Sequence, residues 1–337
     1  MRSPLFLTCD GSAAGYLKAR YRKHVPRPEI VTLLARLIRA PITGLGVKFG
    51  PMNGLSRDED PKSQGDRHLL YPDAEPGITD ILRRWWDAER VEFYVDPDPN
   101  SQLLMTLLLT RALSAGVDHR KLSLMHGTVP WGQVDALKPP TKMASPLQVE
   151  ESHLELAASV WTAYCASTPE PFFTLLRQDV DLFPFLQAAM DALLDDLPRR
   201  ESGLGACEHL VLTTIGASGS TVGEVVGAFY QDPVRQLIDL SQIVPLLGSL
   251  ADCATPLIEG LQGRLRADDY HEDADAWDAF RGSHLRLTHV GSRILAGELD
   301  FIEAHGIDRW WGGTRLEASK CWRWDRETRT LAHPIRG

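Results

Sequence analysis

The residues best suited to chemistry lie in two short turns. CDGSAAG, from Cys9 through Asp10, Gly11 and Ser12 to Gly15, directly follows the apolar run PLFL. Small residues at a strand end let a ligand approach the backbone, and the helix beyond offers unpaired N–H groups with a partial positive charge. That is the chemistry of anion binding. Ser12 suits an N-cap or a hydroxyl donor to the anion, while Asp10 favours a sugar hydroxyl or an amine over bare phosphate. The second turn, DPDPNSQ at 96–102, supplies Asp96, Asp98 and Gln102, which could read hydroxyls or amides, or hold a divalent ion by oxygen. Asp, Pro and Asn also serve as plain turn and cap residues, so both uses stay open.

Charge near the first turn points the same way. Between Tyr16 and Lys48 stand eight basic residues (Lys18, Arg20, Arg22, Lys23, Arg27, Arg36, Arg39, Lys48) against one acid, Glu29. The whole chain is acidic, with a net charge of -9, so this excess is local. Lys18 and Arg22 are four apart and share one helix face.

Elements that would position these turns alternate in type. Strands are predicted at 4–9, 42–48, 91–95 and 121–126, with helices at 16–24, 77–89 and 101–116 between them. The polar stretch 50–66 reads as a long loop. Such alternation predicts an α/β, Rossmann-like parallel-sheet domain over 1–130, with both turns on one rim. Amphipathic helices then predict a helical connector over 131–200. Residues 201–337 read as a winged-helix-like α+β domain with a Trp-rich tail, its β-like segment being HLRLTHVGSRILAGELDFIE.

Several chemistries lack their residues. The histidines show no zinc spacing, and no GxSxG elbow, Walker loop or GxGxxG fingerprint occurs. Cys9 could be a nucleophile, but a buried strand cysteine is ordinarily inert. Nucleic-acid binding is argued against by charge. From Gly216 to Gly263, where a recognition helix would lie, Arg235 stands alone against Glu224, Asp232, Asp239, Asp252 and Glu259. Packing or self-association, as in a homo-oligomer, suits this element better. The tail, with Trp310, Trp311, Trp322 and Trp324 interleaved with Arg309, Arg315 and Arg323, reads as a stacking surface for a base or sugar or as a C-terminal strand pair sealing a domain interface.

Five dispersed cysteines without a CxxC pair fit free thiols in a reducing compartment. No segment has signal-peptide or membrane-spanning character, so a cytoplasmic protein without membrane association is expected.

These phrases combine into a resemblance. CDGSAAG is similar to a GDSAAG turn, VDPDPNSQ to an acidic turn before a helix with Gln, and FPFLQAAMDALLDDLP to the end of a helical middle. LTHVGSRILAGELD, HGIDRWWGG and WRWD follow a C-terminal pattern closely. The chain thus resembles, over nearly its whole length, an uncharacterised bacterial family that pairs two domains of unknown function. The resemblance implies architecture more than activity, and adds Asp308, Arg309 and Trp310 to the candidate residues. Two departures stand out: the Gly–Asp order is inverted at Asp10–Gly11, and the second turn lacks the family's histidine.

The expected function is binding of a phosphorylated or nucleotide-like small molecule at the sheet rim, in a biosynthetic or modifying enzyme. A ligand-responsive winged-helix regulator and a non-catalytic adaptor are the alternatives. No cofactor is identified by the sequence.

Overall fold

A computed structural model describes residues 2–40, 42–43, 46–47, 67–69, 74–135, 145–232, 235–263 and 274–333. They fold as two compact units, one of residues 1–190 with 310–314, the other of 191–309 with 315–337. The stretch 131–200 forms no unit of its own.

The first unit begins with β1 (Leu5–Thr8), α1 (Gly11–Arg20) and β2 (Glu29–Leu34). A small pair, β3 (Ile42–Thr43) with β4 (Gly46–Val47), comes next, then β5 (Arg67–Leu69), α2 (Ala74–Asp87), β6 (Val91–Val95) and α3 (Pro99–Ala115). β7 (Leu122–His126), β8 (Leu147–Gln148), α4 (Glu151–Tyr164) and α5 (Glu170–Leu175) follow, and α6 (Leu186–Asp195) runs into the second unit's range.

Among the described residues the main sheet has six strands in the order β5-β2-β1-β6-β7-β8. All pairings are parallel except the antiparallel edge strand β8. The unit is therefore α/β with a mostly parallel sheet. β1 and β6 are central, which explains LFLT and VEFYV: strands covered on both faces need apolar side chains at nearly every position. Phe6, Tyr94 and Met125 pack with Ala13, Tyr16 and Leu17 of α1 on one face. Right-handed crossovers leaving β1 and β6 in opposite directions put α3 on the other face. There α3 is buried almost all round, which its run of leucines permits.

Two expectations are corrected. The strand expected at 42–48 is only the β3–β4 pair, outside the main sheet; the second strand of the sheet is β2. A helix reaching residue 24 is also wrong, because α1 already starts at Gly11 and ends at Arg20. The expected loop at 50–66 lies outside the described residues.

The second unit carries α7 (Ala206–Ile215), β9 (Ser220–Thr221), α8 (Val222–Phe229), α9 (Leu240–Ala251), β10 (Ile258–Glu259), α10 (Ala274–Arg281), β11 (His284–Leu287), α11 (His289–Leu295) and α12 (Phe301–His305). Its small sheet is antiparallel, in the order β10-β11-β9. The chain closes with the hairpin β12 (Asp308–Trp311) and β13 (Thr314–Glu317), then β14 (Arg323–Asp325) paired with β15 (Thr330–Ala332). No described helix is long and apolar enough to cross a membrane.

Candidate functional site

Strands β1, β2 and β5 step outward on one side of the sheet, and β6, β7 and β8 step outward on the other. The connections leaving β1 and β6 diverge at the carboxyl ends of these two strands, the switch point at which open α/β sheets bind ligands. Asp10 and Ser12 follow β1 there, and Asp96, Asp98 and Gln102 follow β6. The two turns singled out by sequence thus meet at the switch point.

Asp10, not Ser12, is the N-cap of α1: its Oδ1 accepts the N–H of Ala13 at 2.8 Å. The sequence allowed Ser12 that role, but a helix beginning at Gly11 places the cap one residue before it. The helix N-terminus is therefore met by the chain's own carboxylate. Above it lies a 3-10 turn, Trp131–Gln133. A Cβ built on Gly132 would come 2.5 Å from Ser12 Cβ and 3.2 Å from Asp10 Oδ1, so only glycine fits there without displacement. Gly11 and Gly15 face open space instead.

Asp96 is 4% exposed. Its Oδ1 accepts the Trp131 N–H at 2.7 Å, and its backbone carbonyl accepts Gln102 Nε2 at 2.7 Å. The Asp10 carboxyl stands within hydrogen-bonding reach of it. Burial first, then the charges of Asp10 and Asp98, hold the Asp96 proton well above the usual carboxylate range, against the pull of the Trp131 N–H. With its proton retained, the Asp96 carboxyl offers a donor beside the Asp10 oxygens, which accept. Asp98 caps α3, accepting the Ser101 N–H at 3.0 Å, and burial raises its pKa as well. Cys9 lies beside them, its thiol toward the Tyr94 carbonyl. Burial and then the Asp96 charge push that thiol up, so it is no ready nucleophile.

The basic excess is not gathered at the turn. Lys18 and Arg20 occupy the last turn of α1, about 9 Å and about 12 Å along the helix from Ser12. Arg22, Lys23 and Arg27 precede β2, at the opposite edge of the sheet, and Lys48 lies outside the described residues. Arg36 and Arg39 do return to the rim, in the segment after β2. Asn100 fixes that segment by accepting the Leu37 N–H at 2.8 Å and donating to the Ala35 carbonyl at 2.7 Å; Tyr164 Oη donates to the Leu37 carbonyl at 3.0 Å.

The remaining candidates stand apart from this rim. Asp308 pairs with Arg315 at 3.0 Å on the exposed side of the terminal hairpin. Arg309 bonds Glu208 at 3.0 Å and donates to the Asp196 carbonyl. Trp310 belongs to the hairpin tip that counts with the first unit, where Trp311 packs edge-on against Tyr164 and Phe172 at centroid distances of 5.3 Å. Trp324 is buried and donates to Asp195 at 3.1 Å. Trp311 and Trp324 are packing groups, which favours the structural use of this part of the tail.

Sequence reasoning missed His126, at the carboxyl end of β7. It is 3% exposed, and neither ring nitrogen has a hydrogen-bond partner among the described residues. Burial, with His153 second, holds its pKa down at about 4. Its only signal in the sequence is a histidine ending an apolar strand, LSLMH. Among the described residues no group of three or more His, Cys, Asp or Glu is placed to hold a metal ion. Comparison of the chain with family models and with curated proteins found no match.

Proposed function

We propose that the first unit binds a phosphorylated, nucleotide-like small molecule across the switch point between β1 and β6, as part of a biosynthetic or modifying enzyme. The observation carrying this reading is the position of Asp10 and Asp96 on either side of that point, with their carboxyls together. A donor and an acceptor side by side suit a sugar hydroxyl or an amine better than bare phosphate. The helix N-terminus, already met by Asp10, is not the phosphate site in this reading. Arg36 and Arg39, on the adjacent strand end, supply the positive charge that the phosphate needs. The same carboxyl pair is suited to moving a proton to or from the bound group. A thermal-shift panel of nucleotides and sugar phosphates tests this. Stabilisation by at least one, lost in Ser12→Trp, is expected; no stabilisation by any overturns it.

A second reading, a ligand-responsive regulator, is favoured by the order of elements in the second unit. The succession α7, β9, α8, α9, β10, α10, β11, with the sheet order β10-β11-β9, is like that of a winged helix save for α10 between the last two strands. Charge opposes it: α9, in the place of a recognition helix, contains neither Lys nor Arg and is bracketed by Asp239 and Asp252. Salt-dependent duplex binding lost on mutating Arg235 would favour this reading, and absence of binding at low salt would end it.

A further inference from the structure

Asp195, in the last turn of α6, gathers donors from several segments of the second unit. Arg235 Nη1 reaches its Oδ2 at 3.0 Å and Arg326 Nε reaches the same oxygen at 3.2 Å, while Trp324 Nε1 donates to Oδ1 at 3.1 Å. Four residues beyond Asp195, Arg199 forms a backbone bridge with Trp324, and the Trp324 N–H donates to the Pro198 carbonyl at 2.8 Å. Arg326 follows two residues after Trp324, which sets it near Arg199, and the charges of both arginines reach His209 of α7. One carboxylate therefore stands among three guanidinium groups and an imidazole.

Its oxygens are already taken. The Arg199 guanidinium has no hydrogen-bond or ion-pair partner among the described residues, although the residue is only partly exposed. A guanidinium that the protein leaves without an acceptor is open to an anion. Local electrostatics agree. Burial lowers the Arg199 pKa, Arg326 adds to this, and Asp195 and Glu201 only partly oppose it. Burial, then Arg199 and Arg326, hold His209 at about 4. His209 Nδ1 is engaged with Thr213 Oγ1 at 3.2 Å, which leaves Nε2 for a further partner.

We propose that Arg199, Arg326 and His209 form a binding site for a phosphate-type oxyanion, wholly within the second unit and independent of the sheet-rim site. Guanidinium forks match the paired oxygens of such a group, and Asp195 acts by positioning Arg326. The same chemistry could come from a free phosphate or from a nucleic-acid backbone; the acidity around α9 favours the free ion.

The test follows the His209 ring by NMR in the full chain during titration with inorganic phosphate, and separately with a short duplex. Saturable binding is expected to raise the His209 pKa by about one unit, since the bound anion favours the imidazolium about tenfold. Arg199→Gln should weaken phosphate binding about tenfold, whereas Arg83→Gln, an exposed substitution in the first unit, should leave it unchanged. No saturable response of wild-type His209 to phosphate overturns the proposal, whatever the variants do. Equal binding by a folded Arg199→Gln protein, or a response to the duplex alone, overturns it too.

Discussion

The backbone N–H of Trp131 donates to Asp96 Oδ1 at 2.7 Å, across 35 residues of chain. This bond ties the 3-10 turn over α1 to a carboxyl that is itself beside Asp10. The cover of the rim and the protonation of the rim are thus coupled at one residue.

The first prediction concerns that carboxyl. Native Asp96 keeps its proton to higher pH than the unfolded chain does. Between the two values the native state binds more protons, so stability falls as pH rises through that window. Asp96→Asn keeps an acceptor for Trp131 N–H and a donor for Asp10 without the charge. It should exceed the wild type by about 1–3 kcal/mol at pH 7 and show no gain at pH 3. Urea unfolding at both pH values measures this, and equal stabilities at pH 7 would count against a buried charge.

How far this site could be read from sequence differs by residue. Asp10, Ser12, Asp96 and Gln102 were legible because each follows an apolar strand directly, and strand ends on one rim converge by topology. Asp10 as the cap was not, because DGSAAG can start a helix at more than one residue. β2 was hidden by Pro26 and Pro28 and the charges around them, which read as a stop and a loop; EIVTLL pairs with β1 only through tertiary packing. Trp131–Gln133 carries no local mark of its position over Ser12, since that contact is long-range. The basic run misled for a related reason: residues adjacent in sequence are carried by α1 to opposite edges of the sheet.

Gly132 should resist any side chain. Gly132→Ala is expected to cost about 1–3 kcal/mol through overpacking against Ser12 and Asp10. A lowered Tm with a red shift of Trp131 fluorescence is the expected result; an unchanged Tm would place the turn elsewhere.

Arg309 and Glu208 form a buried pair, their side chains 16% and 7% exposed. Arg309→Met removes one charged partner of the Glu208 carboxylate and should cost about 1–3 kcal/mol. Adding Glu208→Gln should recover much of the loss. A double-mutant cycle by denaturant unfolding tests the coupling, and simple additivity would refute it.

His126 predicts an acid-sensitive term. Its native pKa of about 4 lies below the unfolded value near 6.5, so it contributes stability above 6.5 that is lost as pH falls toward 4. The full loss is about 3 kcal/mol. His126→Gln should flatten this part of the pH–stability curve relative to wild type, and parallel curves would contradict the assignment.

The most direct test of the central claim is a crystal structure of the chain soaked with the nucleotides and sugar phosphates that raise its Tm. Density over the carboxyl ends of β1 and β6, touching Asp10 and Asp96 with its phosphate toward Arg36 and Arg39, is the predicted result. Bound ligand elsewhere in the first unit, with none at that switch point, would contradict it.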